Sequence, residues 1–138
     1  MKFLGSILVG VVLFFSNSLT AQNKTTITAS VVNVTSNKGK VGFALYNKTN
    51  FMMQPLQTKE AKIVDGVSSV TFKDVESGEY AIICFHDKNE NGKMDFQENG
   101  MPLEDYGASN NVMNFGPPQY DDAKFIVTDK KIDLKIRF

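Results

Sequence analysis

The stretch 87–98, D-K-N-E-N-G-K-M-D-F-Q-E, spaces oxygen-bearing side chains as a cation loop requires. Asp87, Asn89, Asn91, Lys93, Asp95 and Glu98 fall at loop positions 1, 3, 5, 7, 9 and 12, with Gly92 at position 6. This is the spacing of an EF-hand-type calcium loop. Ca²⁺ is a hard cation that takes six to eight oxygens at about 2.3–2.6 Å. Alternate side chains of a tight turn converge on one point, and glycine at position 6 permits the reversal. Position 7 offers its backbone carbonyl, so a lysine there is compatible with binding. The formal charges of Asp87, Asp95 and Glu98, diluted by two asparagines, predict a structural Ca²⁺ ion held weakly. Extracellular modules of this kind bind at about 10⁻⁴–10⁻³ M.

Other side chains with chemical potential are few. The single cysteine and single histidine, Cys84 and His86, fall on one face of the preceding apolar run. They cannot supply the usual four zinc ligands without carboxylates. Cys84 reads as a small buried hydrophobe, and His86 as a residue that orients the loop or stays at the strand end. No Ser–His–Asp or Cys–His constellation can be assembled from so small a set. Glu104, Asp105, Asp121 and Asp122 are acids near the loop. They could form a carboxylate pair for acid–base work, but the reading preferred here is that they cap turns or face solvent; an intermediate reading packs Glu104 or Asp121 beside the ion as a supporting group. The same region carries Tyr106, Phe115, Pro117, Pro118 and Tyr120, read as a loop folded back over one end of the domain.

The elements that must hold these residues are β throughout. Residues 24–34 alternate, with Ile27, Ala29 and Val31 on one face, and end in the turn cluster Ser36-Asn37-Lys38-Gly39. Residues 40–47 alternate again, and 49–58 read as an irregular excursion or a short helical turn. Asp65-Gly66 between two β-prone runs is a strong hairpin signal. Residues 78–86 form the expected central strand, apolar on both faces and therefore buried on both sides. That strand runs directly into Asp87, so the loop departs from a true EF-hand, in which helices flank it. Residues 99–121 are the longest irregular stretch, and such stretches are often functional. Two strands around Asp129-Lys130 close the domain.

An N-terminal address is expected at residues 1–21. Lys2 supplies the positive end, 3–15 is apolar apart from glycine and Ser6, and Leu19-Thr20-Ala21 is a cleavage site. The apolar run is short of the ~20 residues that span a bilayer. Removal of this segment leaves residues 22–138 as one domain, without a transmembrane segment and with a net charge of −1 (14 basic, 15 acidic). Near neutrality argues against nucleic acid as a partner. Export permits disulfides, but one cysteine cannot form an internal bridge. An ion would be an alternative clamp.

The segments G-E-Y-A-I-I-C-F-H-D-K-N-E-N-G-K-M-D, P-L-E-D-Y-G-A-S-N-N and G-P-P-Q-Y-D-D-A-K-F occur in that order, after V-G-F-A-L-Y-N-K-T-N-F. Together they resemble the DUF2141 family of exported bacterial proteins over nearly the whole mature chain. Ala108 stands where the family pattern often carries phenylalanine. The resemblance implies a small exported β-sandwich similar to transthyretin-like or prealbumin-like modules, and it supplies no substrate.

The combined expectation is an all-β fold: an antiparallel β-sandwich of about seven strands, Ig-like or transthyretin-like, with an EF-hand-type calcium loop after the central strand. The expected role is a periplasmic or extracellular, non-enzymatic module that binds an unidentified protein or small molecule. The alternative is a small-ligand carrier or hydrolase that uses the 101–121 loop.

Overall fold

The computed structural model describes residues 23–138, and the signal peptide expected at 1–21 lies outside them. The chain is mostly β, and its strands form two sheets. No helix among the described residues is long and apolar enough to cross a membrane.

Strand β1 (Lys24–Val31) is central in the first sheet, between β4 (Ser68–Glu76) and β8 (Ile132–Ile136). In the second sheet β3 (Gln57–Lys62), β2 (Lys40–Tyr46) and β5 (Gly78–Asp87) are ordered side by side. The free side of β5 is filled by two short strands. β6 (Tyr106–Ala108) pairs with Ile83–Phe85, and β7 (Phe125–Val127) pairs with Gly78–Tyr80. All pairings are antiparallel except β1 with β8, which run parallel, Ile27 opposite Ile132. This corrects the expectation of a wholly antiparallel fold, and the strands among the described residues number eight. The physical reason is the route of the chain. After β7 it turns through 128–131 and enters the first sheet beside β1, and this return sets the strand direction.

Period-2 alternation puts one face of each sheet inward. Ile27, Ala29 and Val31 of β1, Phe72 of β4 and Ile136 of β8 join Val41, Phe43 and Leu45 of β2 and Ile82 and Cys84 of β5 in one buried cluster. Burying a side chain such as Phe43 or Phe72 stabilises by about 1.5–3 kcal/mol. In β4 the alternation is broken by Asp74, at φ 57°. The register shifts there, from Ile27 opposite Phe72 to Thr25 opposite Val75. This bulge returns Val75 to the core side.

Asp65 and Gly66 form the expected tight turn. Both have positive φ, 52° and 74°, and Val64 and Val67 exchange backbone hydrogen bonds across it. The strands then part, β3 entering the second sheet and β4 the first. The hairpin signal therefore marks a crossing between sheets. β3 is an edge strand rich in charge, and Lys40 pairs with its Glu60 at 2.7 Å. Charged edges resist pairing with other chains.

Expectation and structure also differ at β5. Ile82, Cys84 and His86 are fully buried, but on the opposite face only Ala81 and the terminal Asp87 are; Ile83 and Phe85 between them are half-buried. The neighbours of that outer face on β2 are small. Gly42 lies opposite Phe85, and a Cβ at Gly42 would stand 2.8 Å from the Phe85 ring.

Candidate metal centre

β5 carries the chain out of the core with its last residue, Asp87, still only 1 % exposed. A carboxylate that deep must have its oxygens satisfied. The loop that follows does this with its own backbone. Asn91 N–H donates to Asp87 Oδ1 at 3.1 Å, and Gly92 N–H donates to Oδ2 at 2.8 Å. Gly92 has φ 79°, the left-handed geometry expected at position 6. Two Asx turns continue the coil: Asn89 Oδ1 accepts from Asn91 N–H at 3.3 Å, and Asn91 Oδ1 from Lys93 N–H at 3.1 Å.

The side chains at positions 3, 5 and 9 are in mutual contact. Asn89 Nδ2 donates to Asp95 Oδ2 at 2.7 Å, and Asn91 Nδ2 reaches both Asp95 oxygens, at 2.8 and 3.0 Å. Amide protons therefore face the Asp95 charge. Position 12 behaves differently. Glu98 is exposed, whereas Glu104, 7 % exposed, accepts from Lys88 N–H at 3.2 Å and from Asp95 N–H at 3.3 Å. Glu104 thus ties the second position of the loop to its ninth. The main chain joins the same network where His86 N–H donates to Asp105 O at 2.8 Å.

Donor chemistry fits a hard cation: carboxylate oxygens from Asp87, Asp95 and Glu104, and amide oxygens from Asn89 and Asn91. Among the described residues no three His, Cys, Asp or Glu side chains are grouped closely enough to hold a metal by themselves. Any cation held here would also have to draw on neutral oxygens such as those of Asn89 and Asn91. Among the described residues no lysine or arginine forms an ion pair with Asp87, Asp95 or Glu104.

His86 and Cys84 anchor this end of the sheet. His86 Nε2 lies 2.7 Å from the Lys38 carbonyl, so that nitrogen carries the proton, and the ring stacks on Phe138 with 6.4 Å between centroids. Its Nδ1 is buried without a partner. Cys84 Sγ–H donates to Gly107 O at 3.5 Å, and burial pushes the thiol pKa up. A thiolate is disfavoured there, in line with the structural reading of Cys84.

The family model described as "Uncharacterized protein conserved in bacteria (DUF2141)" matches residues 29–135. The chain belongs to the DUF2141 family. The match runs from within β1 to within β8, so the 87–98 loop and the irregular stretch after it both lie inside the DUF2141 region. No curated protein and no solved structure matches the chain.

In this DUF2141 chain the acids after the loop do not converge. Glu104 bonds to amides of the 87–98 loop, and Asp105 is exposed. Asp121 pairs with Lys124 at 3.3 Å on the surface of a one-turn helix, α1 (Tyr120–Ala123). Asp122 faces a cavity of about 400 Å³ shared with Tyr106 and Arg137. The aromatic residues divide too. Tyr120 packs edge-on against Phe51, with centroids 5.4 Å apart, and Phe51 in turn against Tyr46. Phe115 and Met113 stand in solvent, so this part of the loop does not cover the domain end.

Ser109 carried no signal in the sequence yet holds the region together. It sits in a 3-10 turn (Ser109–Asn111) between β6 and β7 and is buried. Its Oγ accepts from Ile82 N–H at 3.0 Å and donates to the Ala123 carbonyl. Small polar residues are common in loops, and only the tertiary fold brings this one to the gap between two strands.

Proposed function

We propose that this chain is an exported, non-enzymatic β-sandwich module, Ig-like or transthyretin-like, in which a Ca²⁺ ion braces the loop end and presents residues 99–120 to a partner. The two-sheet core around one buried cluster supports the sandwich. The observation that carries the calcium reading is Asp87. A buried carboxylate at the end of the central strand has the loop's amides wrapped on it and Asn89, Asn91, Asp95 and Glu104 assembled beside it. In this proposal Asp87, Asn89, Asn91, Asp95 and the Lys93 carbonyl hold the ion. Glu98 or Glu104 supplies the remaining carboxylate, and the burial of Glu104 favours the latter. The ion would neutralise carboxylates that, among the described residues, no basic side chain pairs with.

Calcium that binds only the folded state stabilises it by RT ln(1 + [Ca²⁺]/Kd). For a Kd of about 10⁻⁴–10⁻³ M and about 5 mM calcium this is roughly 1–2 kcal/mol. The test is thermal unfolding of the chain without residues 1–21, in EDTA and in calcium, with Asp87→Asn, Glu98→Gln and Glu104→Gln beside it. The expected result is a rise in Tm in calcium that Asp87→Asn abolishes. Glu104→Gln is expected to weaken the rise more than Glu98→Gln does. Coincident curves for the unmodified chain in EDTA and calcium would remove the proposal.

A second reading, a small-ligand carrier that uses the 101–121 loop, is favoured by the cavity beside Tyr106. Its volume of about 400 Å³ falls in the range of small-molecule sites, about 300–1,000 Å³.

A further inference from the structure

The cavity beside β6 lies between the excursion that follows Ala108 and the end of β8. Two of the residues lining it are charged: Asp122, and Arg137, the chain's one arginine. Among the described residues neither is ion-paired, with the other or with anything else, so they stand farther apart than 4.0 Å. Opposite charges that share a cleft without meeting leave room for a ligand that meets both.

Both charges rest on braced backbone. Arg137 N–H donates to Asn111 Oδ1 at 2.8 Å, and Asn111 Nδ2 donates to Lys135 O at 2.8 Å. Asn110 Nδ2 donates to Asp122 O at 2.9 Å, and Asn114 Nδ2 donates to the Asp122 carboxylate. The rest of the lining includes apolar groups, notably Val112, Met113, Pro118 and Phe138. Val112 and Met113 are exposed to solvent.

We propose that this cavity binds a small zwitterion, an α-amino acid with an apolar side chain. The guanidinium fork of Arg137 matches a carboxylate in two parallel hydrogen bonds. Asp122 receives the ammonium group, and the side chain lies against Val112, Met113 and Phe138. Each charge also excludes a simpler ligand: Asp122 repels a plain anion and Arg137 a plain cation. The inference is independent of calcium, and either reading can fail without the other.

The test is a heteronuclear NMR titration of the exported chain with millimolar L-leucine, in EDTA and in calcium. Isoamylamine lacks the carboxylate and isocaproate lacks the ammonium, so each serves as a control. Leucine is expected to shift amide resonances around residues 106–123 and 137, and each control to bind about tenfold more weakly or worse, as loss of a charged hydrogen-bond partner implies. Arg137→Gln is expected to remove the preference for leucine over isoamylamine. Asp122→Asn is expected to remove the preference for leucine over isocaproate. The proposal is overturned by the absence of shifts at the cavity, by equal binding of leucine and either control, or by a variant that keeps the preference it should lose. The comparison of ligands on the unmodified chain needs no variant, and the spectra themselves report whether each variant is folded.

Discussion

Replacing Ser109 with alanine removes one oxygen from the protein and leaves a gap in a sheet. Along β5, Tyr80 and Cys84 pair with Phe125 of β7 and Gly107 of β6 on the side away from β2, and His86 N–H reaches Asp105 O there. Ile82 lies between these pairings, and its N–H finds Ser109 Oγ instead of a strand. Ile82 is fully buried, so after Ser109→Ala its N–H has no water to turn to. A buried donor left unpaired costs about 1–3 kcal/mol, and the Ala123 carbonyl loses a donor as well. The expected loss is about 2–3 kcal/mol in urea unfolding with an unchanged m-value, or roughly 8–12 °C in Tm for a domain of this size. Hydrogen exchange reads the same bond directly, since the Ile82 amide should lose protection while the amides of β1 change only with global stability. A loss below about 0.5 kcal/mol, with Ile82 still protected, would refute the argument that this hydroxyl substitutes for a strand.

Three further outcomes follow from the same kind of reasoning. A Cβ at Gly107 would lie 2.4 Å from the Arg137 carbonyl oxygen, so Gly107→Ala must push β6 from the end of β8. Overpacking of this kind costs about 1–3 kcal/mol, measurable by chemical denaturation. Cys84 should resist a thiol-specific disulfide reagent at pH 8 in the folded protein and react at once in denaturant, because burial holds its thiol protonated and out of reach. Burial raises the phenol pKa of Tyr46, Tyr80 and Tyr120, the last to about 12 with Glu79 adding to the effect. A raised pKa favours the folded state fully below the unfolded value of about 10 and loses that contribution as pH rises through the folded value. Stability should therefore fall between pH 10 and 12, with tyrosinate absorbance rising in step with unfolding.

Much of this was legible from residues alone. Alternation located β1 and β2 and their buried faces, because a half-buried strand writes its period into the sequence; β5 showed as an apolar run, which marks a strand but not which of its faces is the more deeply buried. Asp65-Gly66 announced its turn through the left-handed backbone both residues must adopt. Asp87, Asn89, Asn91 and Gly92 likewise take their places through local bonds within the loop. What was not legible depended on long-range contact. The parallel pairing of β1 with β8 is fixed by how the chain returns after β7. The parting of β3 from β4 beyond their turn depends on the partners each strand finds. Glu104 and Glu98 are alike as sequence, and only the fold of residues 99–105 buries the first and leaves the second in water. Ser109, Asp122 and Arg137 take on their roles only once β6, α1 and β8 are assembled.

The two short strands beside β5 also bear on how this protein can change. β6 ends opposite Ile83 and β7 begins opposite Tyr80, so the stretch between them leaves and rejoins the sheet three residues apart on one strand, about 10 Å. Its ends are fixed by pairing, with Ser109 as a rivet between them, and its middle contributes little to the core. Beyond Asn110 and Asn111, which bond to the backbone around Lys135 and Asp122, length and composition at residues 112–119 are thus decoupled from the stability of the sheets, since lengthening an anchored loop costs little entropy. The fold offers a cassette: a surface whose binding chemistry can be rewritten between two fixed clips while the scaffold beneath it stays the same.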